Sequence, residues 1–422
     1  MVQGRPSPDL DFATSAPPAE TTRLLRGWAD RKYLVGVRFG TVGALKDGVR
    51  IEITTFRKEI YAEEHRKPTV TFGDDILVDL SRRDFTINAM AVRLPDGDFT
   101  DPYGGLKALA AKLLDTPLDP ETSFSDDPLR MIRAARFVAR LDLRPADRVV
   151  ESMRALADRL EIVSAERIRD ELCKLLVVED PTAGLWFLVD NGIAEMVLPE
   201  LPAMRVEQDP IHRHKDVLAH TIAVVAKTRP SLIVRMAALL HDVGKPKTRS
   251  IGSHGVSFHH HEVVGARMAR DRLRALRFPN EQIDDISQLV YLHLRFHGYG
   301  DDAWSDSAVR RYVRDAGHLL DDLNELTRCD CTTRNERRAR MLARRMDALE
   351  VRIAELREQE ELAAIRPDLD GDEIMAHLGI APGRPVGEAL NMLLEIRLDE
   401  GPLPKDEAYR RLDEWWAARG SS

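Results

Sequence analysis

The stretch SPDLDFATSAPP, residues 7–18, places two aspartates, Asp9 and Asp11, within a short apolar run. If this run forms a β-strand, both carboxylates lie on the same face, because side chains alternate along a strand. Two carboxylates this close repel each other in apolar surroundings unless a cation lies between them. The stretch therefore indicates a metal site on a strand, although an isolated D-x-D pair is also typical of a turn or a helix cap.

A third carboxylate lies further along the chain, in VRIEITTFR, residues 49–57. This segment is rich in β-branched residues, and KDG at 46–48 is typical of a hairpin turn, so Glu52 is expected on a neighbouring strand. Three carboxylates on adjacent strands can hold two Mg²⁺ ions, which activate an attacking hydroxyl and neutralise a leaving oxygen. We therefore take Asp9, Asp11 and Glu52 as candidate catalytic residues and Mg²⁺ as their ion.

The composition limits the class of protein. With 422 residues the chain is too long for one hydrophobic core, which predicts two to four domains. The sequence has no long apolar run and no basic-then-apolar leader, and its three cysteines cannot form a disulfide framework. We therefore expect a cytoplasmic protein with no membrane partner. A net charge of −8 still allows a local basic groove that binds nucleic acid.

The sequence pattern changes from strand-like to helical near Leu106 and stays helical almost to the end. The expected fold class is α+β, with a small α/β head followed by an elongated all-α body. The expected domains are a head, a helical neck, a histidine-rich helical domain and a helical tail, at residues 1–114, 115–205, 206–333 and 334–422.

A group of charged residues, Arg82, Arg83 and Asp84, begins the segment SRRDFTINAMA at 81–91. We expect these residues at the entrance to a strand. Arginine forks onto phosphate oxygens, and a carboxylate accepts hydrogen bonds from ribose hydroxyls. The triplet is thus a candidate nucleotide site, and a solvated ion pair is the alternative.

The segment SDDPLRMIRAARF, residues 125–137, has the features of a helix start, with Asp127 as N-cap before Pro128. Asp127 and Arg130 are three residues apart and lie on one helical face. Together they can accept from the exocyclic amino group of cytosine or adenine and donate to the neighbouring ring atom. The pair is therefore a candidate base-selecting site, and a plain helix cap is the alternative.

Histidines are clustered: ten of the thirteen lie within residues 212–297. His241 and Asp242 lie in an apolar helix, where a buried imidazole and carboxylate need a partner that a metal can supply. Mixed nitrogen and oxygen ligands suit Mn²⁺, Fe²⁺, Co²⁺ or Ni²⁺ and tolerate Mg²⁺. A lone buried histidine is usually a core residue, but the clustering favours a metal site.

Six motifs occur in this order: DLDFAT, IEITTFR, RRDFTINAMA, DPYGG, DDPLRMIRAARF and SAERIRDEL. The set resembles the class II tRNA nucleotidyltransferases, which are the CCA-adding enzymes, and the related bacterial poly(A) polymerases. The resemblance implies three roles for the matching residues. Asp9, Asp11 and Glu52 would bind metal, and Arg82, Arg83 and Asp84 would contact the triphosphate and ribose. Asp127 and Arg130 would select the base.

The resemblance also implies a reaction. In the family, the 3′-hydroxyl of tRNA attacks the α-phosphate of a nucleotide and pyrophosphate leaves. The implied function is template-independent addition of C, C and A to tRNA from CTP and ATP, with a neck that binds nucleotide and RNA and a tail that binds tRNA. Poly(A) polymerase shares these residues, and addition of C-C alone or A alone stays open.

The chain departs from the family pattern at its start. Family members carry a Gly-Gly…Arg-Asp motif before the D-x-D pair, and here only MVQGRPSP precedes Asp9. We therefore expect a head that lacks its first strand and helix, a misassigned start codon, and weak nucleotidyl transfer by the chain as given.

The histidine pattern resembles the HD phosphohydrolase superfamily. The resemblance implies four core metal ligands and two further ligands for a second metal, namely His220, His241, Asp242 and Asp330, then His261 and His293. It implies a phosphohydrolase activity that acts on phosphate ends or cyclic phosphates. Two other hypotheses stay open: an HD phosphohydrolase with an inactive head, and an RNA-binding protein with two inactive sites.

Overall fold

The computed structural model describes residues 9–34, 36–37, 40–62, 65–206, 216–252, 255–299, 304–331, 336–360 and 365–419. Contacts within the chain divide it into two compact units, residues 1–199 and 200–422. None of the described helices is both long and apolar enough to cross a bilayer.

The first unit contains ten strands among its described residues. They are β1 (Asp9–Thr14), β2 (Arg31–Tyr33), β3 (Thr41–Lys46), β4 (Val49–Thr55), β5 (Arg57–Ala62), β6 (His65–Phe72), β7 (Ala91–Val92), β8 (Phe99–Thr100), β9 (Leu113–Leu114) and β10 (Arg144–Pro145).

The same unit contains nine helices in its described part. They are α1 (Pro18–Leu24), α2 (Ile76–Ser81), α3 (Gly105–Ala110), α4 (Pro120–Asp126), α5 (Leu129–Leu141), α6 (Asp147–Leu156), α7 (Ala165–Leu176), α8 (Thr182–Asp190) and α9 (Ile193–Val197), with 3₁₀ turns at Thr86–Asn88 and Ala157–Ile162.

The head is a four-stranded sheet in the order β1-β4-β3-β2. Strand β1 is parallel to β4, and the other neighbours are antiparallel. Asp47 and Gly48 join β3 to β4 with positive φ angles of 50° and 78°, the geometry that matches the twist of a two-residue hairpin. The hairpin predicted at 46–48 is confirmed. Val42, Ala44 and Ile51 form the core side of this sheet.

The segment after Asp84 is not the strand that the sequence indicated. Phe85 is followed by a 3₁₀ turn, Thr86–Asn88, and the short β7–β8 pair begins only at Ala91. The Asp84 carboxylate accepts hydrogen bonds from the Phe85 N–H and the Asn88 side-chain amide, 2.8 and 3.0 Å away. These local bonds favour a turn over an extended strand.

The neck is a helical layer in which α5 packs against α7 and α8. Helix α5 buries one face, including Met131, Ile132 and Ala135, as expected from its amphipathic sequence. Helix α8 approaches α5 closely at Gly184, where an added Cβ would lie 2.5 Å from the Ala135 carbonyl oxygen and 2.5 Å from Leu175 Cδ1. This glycine therefore sets the distance between the two helices.

The second unit is almost entirely helical in its described residues. Its elements are α10 (Glu200–Ala203), α11 (Val217–Lys227), α12 (Leu232–Leu240), α13 (Lys245–Thr248), β11 (Arg249–Gly252), β12 (Gly255–Phe258), α14 (His261–Ala275), α15 (Asn280–Leu292), α16 (Asp306–Ala316), α17 (Leu320–Asp330), α18 (Glu336–Glu360), α19 (Gly371–Leu378), α20 (Arg384–Glu400) and α21 (Lys405–Arg419), with 3₁₀ turns at Arg295–Tyr299 and Gly317–Leu319. The long charged helix expected near 334–362 is α18.

We predict that Gly184→Ala lowers the free energy of unfolding by about 1–3 kcal/mol, because the methyl group overpacks the contact between α8 and α5. The matched control is Gly387→Ala in α20, where nothing lies within 4 Å of the added Cβ. There the higher helix propensity of alanine should raise stability by about 0.5–1 kcal/mol. Denaturant unfolding measures both, and a stabilising Gly184→Ala would contradict the close packing.

Candidate functional sites

The first candidate site is a pair of carboxylates on the head sheet. Asp11 in β1 and Glu52 in β4 are direct register partners, so their side chains extend from the same face. Both side chains are exposed, whereas the neighbouring Ile51 is buried on the opposite face. Asp9 has Arg50 as its register partner, and its side chain lies outside the described part of the chain. The structure thus brings together two of the three predicted metal-binding acids.

The second feature is a buried carboxylate that forms ion pairs with two of the predicted nucleotide-binding residues. Asp79 is fully buried, and its oxygens lie 2.6 Å from Arg82 Nη2 and 3.0 Å from Arg83 Nη2. Burial alone would raise the pKa of Asp79, but the charges of Arg83 and Arg82 outweigh it, and the pKa lies below its usual value. Asp79 therefore orients both arginines, a role that the sequence analysis missed.

Asp84 is an internal ion-pair partner of helix α5. Arg133 donates from Nε and Nη2 to Asp84 Oδ2 at 2.9 and 2.5 Å, while Asn88 and the Phe85 N–H donate to Oδ1. Burial would raise the pKa of Asp84, but the Arg133 charge and these hydrogen bonds lower it below its usual value. A carboxylate has about four acceptor positions, and four donors already engage this one. Any ribose contact would therefore have to displace one of them.

Asp127 and Arg130 face different protein partners. Helix α5 begins at Leu129 with Pro128 in the N-cap position, so the predicted cap at Asp127 lies one residue too early. Asp127 still accepts from the Leu129 N–H, 3.3 Å away, and its other oxygen lies 2.8 Å from Arg167 Nη2. Arg130 donates to Ser123 Oγ at 2.7 Å and to the Arg82 carbonyl at 2.6 Å. The base-selecting role of the pair stays a prediction. Arg167, which holds Asp127, belongs to the SAERIRDEL motif.

The third candidate site is a cluster of histidine and aspartate side chains in the second unit. The cluster contains two groups that share Asp242. One group adds His220 and His241, and the other adds His261 and His293. Within each group, the nitrogen and oxygen atoms that could bind a metal lie within 4.8 Å of one another. Asp330, at the end of α17, lies 2.8 Å from His220 Nε2. All six predicted ligands are therefore brought together.

Three of the imidazoles are oriented by a hydrogen bond from Nδ1. Nδ1 of His241, His261 and His293 lies 2.7–2.8 Å from a backbone carbonyl three residues earlier, and a carbonyl can only accept. Each Nδ1 therefore carries a proton, which leaves Nε2 as the ring nitrogen that faces the cluster. This is the arrangement that metal-binding histidines typically show.

A glycine allows the two halves of the cluster to meet. An added Cβ on Gly244, two residues after Asp242, would lie 2.2 Å from the His261 carbonyl oxygen. The start of α14 thus packs directly against the HD turn. As a result His261 Nε2 lies 3.4 Å from Asp242 Oδ1.

The cluster fits a divalent metal ion. Asp242 Oδ1, His261 Nε2 and His293 Nε2 are buried and have no hydrogen-bond partner within the described structure. Buried polar atoms without partners are costly, and all three are electron-pair donors that converge. Nitrogen and carboxylate donors suit a borderline metal such as Mn²⁺, Fe²⁺, Co²⁺ or Ni²⁺.

The electrostatics of the cluster favour a positive charge at its centre. Burial lowers the pKa of His241, but Asp242 and Asp330 raise it to about 10. Burial would raise the pKa of Asp242, yet His241 and Lys245 hold it well below the usual value. Burial, together with the His241 charge, lowers the pKa of His293 to about 3. The carboxylates thus attract a cation that a metal can provide.

Some partners in these sites were not singled out from the sequence, namely Asp79, Arg133, Arg167 and Lys245. Two of them have a local signal: Lys245 lies three residues after Asp242 and donates to its Oδ2 at 2.7 Å, and Asp79 lies three and four residues before Arg82 and Arg83. The contacts of Arg167 with Asp127 and of Arg133 with Asp84 join residues 40 and 49 positions apart. No local pattern predicts such pairs.

Three family models match the chain. The Poly A polymerase head domain matches residues 1–115, the probable RNA and SrmB-binding site of polymerase A matches residues 142–204, and the HD domain matches residues 217–356.

Two curated relatives are informative. The A-adding tRNA nucleotidyltransferase of Deinococcus radiodurans is 34% identical over an alignment of 431 positions. The alignment covers 94% of this chain and 96% of that protein. The CCA-adding enzyme of Limosilactobacillus reuteri is 40% identical over 186 residues, which cover 44% of this chain and 45% of that enzyme. The chain thus matches the first relative along nearly its whole length and the second over less than half.

Two solved structures have the same fold. The Bacillus stearothermophilus CCA-adding enzyme in complex with CTP has a TM-score of 0.68 at 23% identity. The superposition covers 100% of this chain and 91% of the chain of that enzyme. The Thermotoga maritima CCA-adding enzyme complexed with tRNA has a TM-score of 0.55 at 17% identity, with 98% and 88% coverage. At these identities the likeness shows the fold alone.

We predict that Asp84→Asn lowers the free energy of unfolding at pH 7 by about 3 kcal/mol, because Arg133 loses its buried partner. The pKa of Asp84 is depressed in the folded protein. Its stabilising effect is therefore present above the unfolded pKa of about 3.9 and is lost as the pH falls through the folded pKa. The difference between variant and wild type should consequently narrow below about pH 4.

The matched control is Asp142→Asn, which removes a carboxylate paired with Lys112 on the surface. Exposed pairs contribute about 0–1 kcal/mol, so this change should have little effect. Denaturant unfolding between acid and neutral pH measures both variants. Equal effects of the two substitutions at pH 7 would contradict the anchoring role of Asp84.

Proposed function

The chain belongs to the poly(A) polymerase and tRNA nucleotidyltransferase family, and from this premise we propose that it adds C, C and A to the 3′ end of tRNA from CTP and ATP, with release of pyrophosphate. The observation that carries the proposal is the register pairing of Asp11 with Glu52 on the exposed face of the head sheet. An open face with paired carboxylates gives a nucleoside triphosphate and an RNA end access from solvent.

In the proposed mechanism, Asp9, Asp11 and Glu52 would hold divalent ions, which we take as Mg²⁺. When bound, such ions would supply charge neutralisation at the phosphates and a lower pKa for the attacking hydroxyl. Arg82 and Arg83, oriented by Asp79, attract the triphosphate through their charge. Most of the acceleration in phosphoryl transfer comes from such positioning and charge neutralisation. Positioning and charge neutralisation therefore matter more here than acid–base groups.

The proposed selection of the nucleotide depends on Asp127 and Arg130. Asp127 accepts from the exocyclic amino group of cytosine or adenine, and Arg130 donates to the neighbouring ring atom. Arg167 and Ser123 hold these two side chains in their orientations. Uracil and guanine would meet the carboxylate with a carbonyl oxygen, so they are disfavoured.

A second candidate is addition of the terminal A alone. The observation that favours it is the relative that matches 94% of this chain, which is an A-adding tRNA nucleotidyltransferase. The residues named above serve either activity, because cytosine and adenine present the same amino group. The two candidates differ in the tRNA end that they extend.

For the histidine–aspartate cluster we propose a divalent transition metal or Mg²⁺ bound by His220, His241, Asp242 and Asp330, and a second ion bound through His261 and His293. Such ions supply a nucleophilic water and neutralise phosphate charge. Asp242, whose two oxygens face the two groups, would be the shared ligand. The proposed activity is hydrolysis of phosphate ends or 2′,3′-cyclic phosphates.

We also propose four domains, a head at 1–114, a nucleotide- and RNA-binding neck at 115–205, an HD-type domain at 206–333 and a tRNA-binding tail at 334–422. The proposed location is the cytoplasm, where tRNA and nucleoside triphosphates are at hand.

The first experiment measures incorporation of labelled CTP and ATP into three tRNAs that end before C-C-A, after C, and after C-C. Wild type should extend all three and stop after A, whereas an enzyme specific for the last step extends only the third. Glu52→Gln should reduce incorporation by about a hundredfold or more without changing tRNA binding, because the charge that holds metal is lost. Full activity of Glu52→Gln would contradict the assigned metal site.

The second experiment measures bound metal by inductively coupled plasma mass spectrometry after loading with Mn²⁺. After desalting, which removes ions from the open head site, wild type should retain two ions per chain, His261→Ala one, and Asp242→Asn neither, because Asp242 belongs to both ligand groups. The control is His318→Ala, whose imidazole pairs with Asp285 on the surface of the same unit. Asp242→Asn should also abolish hydrolysis of a 2′,3′-cyclic nucleotide and leave ATP incorporation intact. Equal metal content in all four proteins would overturn the proposal.

A further inference from the structure

The histidine–aspartate cluster is more open to solvent on one side than elsewhere. The side chains of His220 and Asp330 are each 14% exposed, whereas those of His241 and Asp242 are 0% and 1% exposed. His220 Nε2 lies 2.8 Å from Asp330 Oδ1, so the two more exposed residues lie together. A substrate therefore reaches the cluster from the side of His220 and Asp330, which we call the cluster mouth.

Two cations lie near the cluster mouth on different helices. Lys227 lies on α11 seven residues after His220, which is about two turns, so both side chains share one face of the helix. Burial raises the pKa of the Cys331 thiol, next to Asp330, and the charge of Asp330 adds to this effect. The charges of Lys227 and Arg338 oppose it, so both cations are close to this end of α17.

A third cation, Arg345, lies on the same helix as Arg338. Its guanidinium carbon is 5.2 Å from the centre of the Phe296 ring, which belongs to the 3₁₀ turn after α15. The next residue, His297, is affected by both arginines. Burial lowers its pKa, Asp330 acts in the opposite direction, and Arg345 and Arg338 lower it further. Both arginines and Asp330 are thus close to one side chain. We call Lys227, Arg338 and Arg345 the basic rim.

The sequence of α18 explains why its two rim arginines face the cluster. The buried residues of this helix form one stripe with helical spacing and are Met346, Leu349, Ile353 and Leu356. Arg345 lies four residues before Leu349, and Arg338 lies seven residues before Arg345, so both continue this stripe toward the start of the helix. Arg345 is half-buried and Arg338 is exposed. The inward side of α18 therefore changes from apolar to cationic where it approaches the mouth.

Nearby acidic residues have cationic partners of their own. Four acids of α17 and α18 form ion pairs with Arg229 or Arg328, namely Asp322, Glu325, Asp347 and Glu350. Among the described residues, Asp330 is the one carboxylate whose charge acts on His297. The two rim arginines also have interactions within the chain, but a guanidinium carries five N–H donors, so such interactions leave donors for a phosphate. Apart from the cluster's own carboxylates, the mouth is therefore positively charged.

We propose that the basic rim binds the phosphate of the substrate at the histidine–aspartate cluster and selects a phosphate monoester over a 2′,3′-cyclic phosphate. The inference rests on the phosphohydrolase activity proposed above and narrows its substrate class. A phosphate monoester carries a charge of about −1.5 to −2 at pH 7, whereas a cyclic phosphate diester is a monoanion. Arginine forks onto phosphate oxygens, and attraction to the rim increases with the charge of the ligand. The rim therefore favours the monoester.

The test measures hydrolysis of 3′-AMP and of 2′,3′-cyclic AMP by the full chain loaded with Mn²⁺. Arg338→Gln and Arg345→Gln should each raise KM for 3′-AMP about tenfold and leave kcat within about twofold, because each loses a charge-assisted contact with the phosphate. KM for the cyclic nucleotide should rise less, about threefold. Arg345→Lys, which keeps the charge, should restore part of the affinity. An RNA end carries the same ester, so a short RNA that ends in a 3′-phosphate is assayed alongside, and the lower wild-type KM identifies the source.

Two further measurements separate substrate binding from folding and turnover. They are the retained metal content and the affinity for inorganic phosphate, determined by calorimetry on each Mn²⁺-loaded protein. The matched controls are Arg337→Gln and Arg344→Gln, because both side chains are exposed and each lies one residue, or about 100°, away from the stripe on α18.

The inference holds if only the rim variants lose affinity for 3′-AMP and for phosphate while all proteins keep the same metal content. It is overturned if rim variants and controls behave alike, if the rim variants lose metal, or if KM rises equally for both esters. If wild type keeps its ions and hydrolyses neither ester, the proposed phosphohydrolase activity fails. The phosphate titration then decides on the rim by itself, and unchanged phosphate affinity in the rim variants would overturn it.

Discussion

The buried carboxylate of Asp84 is the constraint on which the first unit depends. A carboxylate that is 9% exposed must be met by a cation and by hydrogen-bond donors, or it costs several kcal/mol. Arg133 supplies the charge from α5, and Asn88 and the Phe85 N–H supply the remaining donors. Meeting this need brings α5 and the 3₁₀ turn together, and with them the side chains that are expected to handle the nucleotide.

The chain meets the same physical requirement differently in its second unit. Around Asp84 every acceptor has a donor, so the region is complete as folded. Around Asp242, three buried lone pairs converge without a donor, on Asp242 itself, His261 and His293. The carbonyls that hold the Nδ1 protons keep these imidazoles from turning away. In a metal centre, the buried groups have their hydrogen-bond partners except for the atoms that face the cation. Core histidines, by contrast, have hydrogen-bond partners for all their buried polar atoms.

Features that depend on contacts between residues close in the sequence could be predicted, whereas contacts between distant residues could not. The hairpin at Asp47 and Gly48 and the long charged helix depend on neighbours within a few residues, and both were predicted. The N-cap of α5 was predicted one residue too early, at Asp127 instead of Pro128. The six histidine and aspartate residues that the structure brings together were predicted as ligands through a family pattern. The 3₁₀ turn after Asp84 was missed, because Phe85-Thr86-Ile87 has strand propensity that contacts with Asn88 and α5 override. Long-range partners such as Arg167 have no local signal at all.

The two candidate metal sites differ in burial, and this difference has a consequence for how they work. Asp11 and Glu52 are exposed acids on an open sheet face, so ions held there would exchange with water and would gain most of their affinity from the phosphates of the substrate. His241 and Asp242 are fully buried. If a metal ion left this site, water could not take its place around the buried side chains, so loss of the ion would be costly. If both sites bind metal as proposed, the head would acquire its ions together with the nucleotide, whereas the histidine–aspartate cluster would retain its ions. Chelators should therefore remove the two sets at different rates.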